Sequence, residues 1–308
     1  MIAPVLVQVY NRKEHFINCI ESLAQCRLAN QTHLFITSDA PKSDKDKALV
    51  EEIRNYCANI TGFKKVDIIA PEKNLGVVEI GNKAVERIFS EYDTLIWSED
   101  DNIFSQNFLE FINGGLEFYK DNPNVFAICG YKHYFNLPHK YPNDIFASVY
   151  IAAWGFGIWK EKYQNVNFYP TEIDISTNGK KQMSNLWYRL MIDTISNNKA
   201  YGDVLMTYHC LKHNLINIFP VMSLVQNHGN DGSGEHCAVI PGYSYQEICI
   251  GHKVFKFIDT ITARSDIHKK ITNAVDYPFM SSYERMKKKG MKITRQIKKH
   301  IKKIIKLR

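Results

Sequence analysis

The seven cysteines, Cys19, Cys26, Cys57, Cys129, Cys210, Cys237 and Cys249, form no CxxC pair and no metal-like spacing. An odd, scattered set in a chain of 308 residues reads as reduced thiols in a cytosolic protein. The opening stretch, MIAPVLVQVYNRKEH, has neither a basic region nor a small-residue cleavage site, so it is not read as a secretory signal. No apolar run reaches the roughly 18 residues that span a bilayer. The nearest, IFASVYIAAWGFGIW, is short and broken by glycines. GxGxxG is missing after the first apolar run and GxxxxGK[ST] is missing throughout, so neither a dinucleotide fold nor a P-loop is supported.

Positive charge is also lacking over most of the chain. Twelve of the 39 Lys and Arg lie in residues 285–308, which hold no Asp or Glu. The remainder keeps 27 basic against 32 acidic residues, a net of −5, so the overall +7 does not indicate a nucleic-acid-binding body. Within the tail, Ile293, Ile297, Ile301, Ile304 and Ile305 share one helical stripe among lysines and arginines. That pattern predicts an amphipathic helix on an anionic membrane surface, and places the protein at the inner face of the cell membrane. A solvated tail and an RNA-binding arm are the alternatives.

What is present is alternation. β-branched runs at 3–10, 32–41, 64–71 and 93–101 read as strands, and the segments between them carry apolar residues at helical spacing. Phe16, Ile17, Ile20, Leu23 and Ala24 are the clearest case. Strand and helix in turn predict an α/β fold with a mostly parallel sheet. Ligands bind such sheets beyond the C-terminal ends of the strands. Three polar clusters fall there: Tyr10, Asn11 and Arg12; Ser38 and Asp39; and Glu99, Asp100 and Asp101.

The run LIWSEDDNIF is the sharpest feature. Three consecutive acids behind an apolar strand repel one another and require a neutralising cation. Adjacent carboxylates suit a hard ion such as Mn²⁺ or Mg²⁺, which could bridge a diphosphate; a solvated turn or a helix N-terminus is the plainer reading. His209 and His213 stand at i, i+4 without a third ligand, and read as structural.

Taken in order, PVLVQVYNRKEHFINCIESL, ITSDAP, NLGV, WSEDDNIFSQNFLEF, AAWGFGIWKEKY, YGDVLMTYHC and LVQNHGNDGSGEHC resemble the motifs of GT-A fold glycosyltransferases. The likeness is to bacterial family 2-like enzymes and to N-acetylglucosaminyltransferase I, and covers roughly residues 3–240. GFGIW stands where GWATW is usual, and YGD where Trp-Asp is usual.

The resemblance implies a metal-dependent, inverting transfer of a sugar, hexosyl or N-acetylhexosaminyl, from a nucleotide-sugar donor such as a UDP-sugar. The acceptor would be a hydroxyl of a glycan or lipid-linked molecule in surface polysaccharide or lipopolysaccharide synthesis. It implies donor contacts from Tyr10, Asn11, Arg12, Asp39, Asn74, Gly76, Glu99 and Asp100, with Mn²⁺ or Mg²⁺ at Asp101 and a metal or phosphate contact at His236. Asp203 would be the catalytic base, and Trp154, Gly155 and Phe156 a platform for sugar. The corresponding domains are 1–265, divided at 105 into donor and acceptor halves, a linker over 266–284, and the tail. A nucleotidyltransferase and a non-catalytic sugar-binding module are the competing classes.

Overall fold

The computed structural model describes residues 2–175, 177–197, 199, 201–233 and 246–276. The chain runs β1 (Val5–Val9), α1 (Lys13–Ala24), β2 (His33–Ser38), α2 (Asp44–Cys57), β3 (Lys65–Ile69), α3 (Val77–Phe89) and β4 (Thr94–Glu99). It continues β5 (Asn102–Phe104), α4 (Phe108–Phe118), β6 (Val125–Cys129), β7 (Ile145–Ser148), β8 (Phe156–Trp159) and α5 (Lys160–Gln164). Then come α6 (Thr177–Gln182), α7 (Asn185–Asn197), α8 (Gly202–His213), β9 (Ile216–Pro220), β10 (Val225–Asn227) and α9 (Ser265–Asp276).

The described strands build an eight-stranded sheet in the order β3-β2-β1-β4-β8-β6-β9-β7, with β10 and β5 as a separate ribbon. The β1–β2, β2–β3 and β1–β4 pairs are parallel, as the alternation predicts. β8 then enters antiparallel between β4 and β6, and β7 closes the edge antiparallel to β9. β1 is paired on both sides and reads VLVQV, buried at all but Gln8. Such a strand is covered on both faces. Val5, Val7 and Val9 join one apolar cluster with Phe16, Leu23 and Ile53 of α1 and α2, whereas Leu6 joins Ala84, Val85 and Ile88 of α3 on the other face.

Residues 266–276, expected in the linker, are helical instead. Ile267 and Ile271 of α9 are buried, and His268 stacks on Tyr150 at 5.6 Å. Their i, i+4 spacing pulls the segment onto the core. The basic tail lies outside the described residues. Among the described residues, no helix is long and apolar enough to cross a membrane, and the six described cysteines are buried free thiols.

Beyond β6, His133 is buried among aromatics, its ring 5.8 Å from Tyr131 and 6.2 Å from Phe219. Burial and the adjacent Lys132 lower its pKa from 6.5 to about 4. The unfolded chain therefore takes up this proton first. The stability His133 contributes is present above pH 6.5 and is lost as pH falls toward 4. A His133→Leu variant should lose less stability over that window, by about 1–3 kcal/mol, in urea unfolding at both ends of it.

Candidate active site at the switch point of the sheet

The sheet order places β1 between β2 and β4, so chain direction across the sheet reverses at β1. The C-terminal ends of these three strands open on one crevice, where such sheets bind ligands.

One wall is a stitched turn. The buried Asp39 carboxylate accepts N–H bonds from Ala40 at 2.8 Å, Leu75 at 3.0 Å and Gly76 at 2.7 Å. The Asn74 side chain donates to the Ala40 carbonyl at 2.6 Å. Gly76 has φ +79°, the left-handed region that favours glycine, while a Cβ there would meet nothing within 4 Å. Asp39, Asn74 and Gly76 are thus one unit, although 35 positions separate Asp39 from Asn74 in the chain. Tyr10 accepts the Lys42 N–H at 2.7 Å and Asn11 donates to Asp46 at 3.2 Å, which fastens the end of β1 to the start of α2.

The opposite wall is acidic, and the cation beside it belongs to the chain itself. Arg12 forms a two-pronged ion pair with Asp100 and lies 2.9 Å from Asp101 Oδ2. Both acids are buried. Burial raises the Asp100 pKa from 3.8 to about 6 even though Arg12 pulls the other way. The Glu99 pKa is raised well above its ordinary value, by burial first and then by the charges of Asp101, Asp100 and Asp203.

The last of those charges is informative, because Asp203 lies far along the chain on α8. Its Oδ1 accepts the Val204 N–H at 2.8 Å, so it supports the first turn of its helix, as a carboxylate near a helix N-terminus does. Burial raises its pKa as well. Glu99 and Asp203 are both half-buried, and the charge of Asp203 reaches Glu99.

The β5–β10 ribbon closes the acidic wall. Its register sets Asn102 opposite Asn227, which brings residues 227–229 against Asp101. Asn227 Nδ2 donates to Asp101 Oδ1 at 2.6 Å, and the His228 N–H donates to the Asp101 carbonyl at 2.8 Å. Beyond them His15 of α1 meets Asp231 at 2.9 Å. Burial and the nearby His15 lower the His228 pKa. Asn227, His228 and Gly229 lie within the segment LVQNHGNDGSGEHC, but the sequence assigns them no individual role. The polar run following Leu224 and Val225 was the available signal; the ribbon register that gives it meaning is not local.

Of the remaining expected site residues, Phe156 and Gly155 are explained by packing. Phe156 is 1% exposed inside β8, between β4 and β6, so it is a core residue and offers no face to a sugar. Gly155 is required by packing: at φ +79° its Cβ would fall 2.9 Å from the Phe108 ring. Trp154 is half-buried and meets Tyr131 edge-on at 4.6 Å. His236 lies outside the described residues. The His209 and His213 rings contact each other at 4.5 Å, with His209 beside Phe126.

Among the described residues, no three His, Cys, Asp or Glu groups converge on one point. A small hard ion does not need such a cage. Mg²⁺ characteristically takes one or two carboxylates and completes its shell with water and substrate phosphates. The surroundings of Asp101 fit that demand. Its Oδ2 is held by a single Arg12 contact at 2.9 Å, and it packs so close to Gly229 that a Cβ there would sit 2.1 Å from that oxygen.

Solved structures similar to the chain include S. aureus TarS, with 17% identity, 46% of this chain and 24% of that chain covered, and TM-score 0.32. TarS 1-349 gives 14%, 72%, 58% and 0.42 on the same measures. Mannosyltransferase PcManGT from Pyrobaculum calidifontis, solved in complex with GDP-Man and Mn2+, gives 11%, 59%, 51% and 0.39. The chain thus spans less than two thirds of each of these proteins. A search of curated proteins finds no match. The profile described as Glycosyl transferase family 2 matches residues 5–179, more than half of the chain. With its large central sheet and flanking helices, the protein has the GT-A fold and belongs to glycosyl transferase family 2.

Proposed function

We propose that the protein moves a sugar from a nucleoside-diphosphate sugar to a hydroxyl of a glycan or lipid-linked acceptor, with inversion at the anomeric carbon. The observation that carries this reading is the acidic wall at the end of β4, where Arg12 pairs with buried Asp100 and Asp101 and the charge of Asp203 on α8 reaches Glu99. The acceptor hydroxyl is a weak nucleophile. Asp203 takes its proton while the oxygen bonds to the anomeric carbon and the bond from that carbon to the diphosphate breaks. Burial raises the proton affinity of Asp203, which suits it to this task. Inversion requires attack opposite the leaving group, so Asp203 and the diphosphate occupy opposite sides of the sugar. Asp101 holds Mn²⁺ or Mg²⁺, which when bound offsets the negative charge gathering on the departing diphosphate.

The turn of Asp39, Asn74 and Gly76, with Tyr10 and Asn11 beside it, receives the nucleoside, a uridine in the simplest case. Trp154 borders the acceptor side. The basic tail, residues 285–308, holds the enzyme on an anionic membrane surface where lipid-linked acceptors reside. Surface polysaccharide synthesis is the setting that joins these features.

The test is a melting-temperature panel of nucleotide-sugars with and without Mn²⁺. A donor that binds only the folded state at about 100 times its Kd stabilises by about 2.7 kcal/mol. At least one nucleoside-diphosphate sugar should raise the melting temperature in the presence of Mn²⁺, and the same compound should release nucleoside diphosphate slowly without acceptor. No shift with any donor and no release would leave a non-catalytic module. Release of inorganic pyrophosphate from a nucleoside triphosphate would indicate a nucleotidyltransferase.

A further inference from the structure

Arg12 holds the two buried acids unequally. Nε lies 3.3 Å from Asp100 Oδ2 and Nη2 makes a shorter contact with Asp100 Oδ1, so the fork is anchored on Asp100 at two points. Only the Nη2 contact at 2.9 Å reaches Asp101 Oδ2. The other Asp101 oxygen, Oδ1, is taken by Asn227. Oδ2 also packs against Gly229, where a Cβ would fall 2.1 Å from it. One cation therefore sits on the oxygen an incoming ion would use, and it can release that oxygen without leaving Asp100.

We infer that Arg12 is a built-in competitor of the divalent ion: it covers Asp101 Oδ2 in the empty enzyme and yields it, still anchored on Asp100, when ion and donor diphosphate arrive together. This rests on the assignment of the ion to Asp101 proposed above. The residue type fits the role. A guanidinium stays charged throughout the working pH range and its planar fork spans two carboxylates, whereas an ammonium is a single point charge. Two adjacent buried carboxylates without a cation would be costly to the empty protein. An Arg that remains in the pair keeps the empty site folded and lowers its affinity for free metal. The diphosphate offers Arg12 a replacement anion, so ion and nucleotide should bind with positive coupling, each raising the affinity of the other by the same factor.

The probe is Mn²⁺ alone, its free concentration read by electron paramagnetic resonance in titrations of the full chain without nucleotide. Arg12→Gln should bind Mn²⁺ at least about tenfold more tightly than the unmodified protein, because a positive charge in direct contact with the carboxylate is gone. The double variant Arg12→Gln with Asp100→Asn should bind more tightly as well. It restores the net charge of the unmodified cluster and leaves one buried carboxylate, Asp101, without an ion pair instead of two. Tight binding in it reports the uncovered oxygen rather than added negative charge, and it guards against a folding defect in the single variant. Repeating the titrations with UDP and with GDP should give a larger gain in Mn²⁺ affinity for the unmodified protein than for either variant. Unchanged or weaker Mn²⁺ affinity in both variants overturns the inference. An Asp101→Asn arm separates the two claims. If it leaves Mn²⁺ binding intact, the ion is not at Asp101 and the inference falls with that assignment. If it abolishes binding while the Arg12 variants stay at the unmodified affinity, the inference alone falls.

Discussion

Asp203→Asn lowers kcat by about 10²–10⁴-fold, the range expected when a positioned base is removed, and leaves donor affinity nearly unchanged. The substitution keeps the size of the side chain. Its amide oxygen can still accept the Val204 N–H that Asp203 Oδ1 accepts at 2.8 Å, so the first turn of α8 survives. What is lost is the capacity to take a proton. Losing the carboxylate also removes one of the charges that raise the Glu99 pKa, so Glu99 titrates at lower pH in the variant. Nucleoside diphosphate release with acceptor present measures kcat, and the donor-induced melting shift measures donor binding. Near-normal turnover would pass the role to another acid, with Glu99 the nearest candidate. The anomeric configuration of the product, read by NMR, would then separate a different base from a retaining mechanism.

The first half of this fold is legible because its signals are local. β1 through β4 are short β-branched runs, and helices such as α3 place Ile80, Ala84, Ile88 and Phe89 on one face. The second half is legible only in part: α4, β6 and α8 show in the sequence, and β7 and β8 do not. β7 and β8 are four residues each, IFAS and FGIW, too short for a period to show. Their places depend on partners far away in the chain, Ile158 of β8 against Leu95 and Ala127 for instance. That is also why Phe156 reads as an available aromatic in a Gly-Phe-Gly context but is core: nothing nearby in sequence shows that β8 lies inside the sheet.

The site divides along the same line. Three adjacent acids announce that a cation is needed, which is local electrostatics. That Arg12 meets part of the need, from a position 88 residues earlier, follows only from β1 and β4 lying side by side. Likewise the carboxylate of Asp39 reads as a free ligand in ITSDAP, yet its oxygens receive three backbone N–H groups. An acid at a strand end can be spent on building the turn that shapes a site.

Gly229→Ala should cost at least about 10²-fold in kcat/KM, the loss that a displacement near 1 Å can cause at a reacting centre. The added Cβ would lie 2.1 Å from Asp101 Oδ2, 2.9 Å from its Cγ and 3.4 Å from Arg12 Nη1. The first two separations are closer than real Cβ contacts, so either the carboxylate turns or the ribbon lifts. The carboxylate is not free to turn, because Asn227 holds Oδ1 at 2.6 Å and Arg12 holds Oδ2 at 2.9 Å. The ribbon is not free to lift, because the His228 N–H is bonded to the Asp101 carbonyl and Asp231 to His15. Overpacking of this kind costs about 1–3 kcal/mol, so the melting temperature should fall by several degrees while the protein still folds. Gly202→Ala is the matched control. It stands next to Asp203 on α8 with nothing within 4 Å of an added Cβ, and alanine favours the helix. That variant should keep its stability and its kinetics. Unmodified kinetics in Gly229→Ala would mean that the Asp101 carboxylate does not rest against the ribbon during turnover, and the ion would have to be sought at another of the acids.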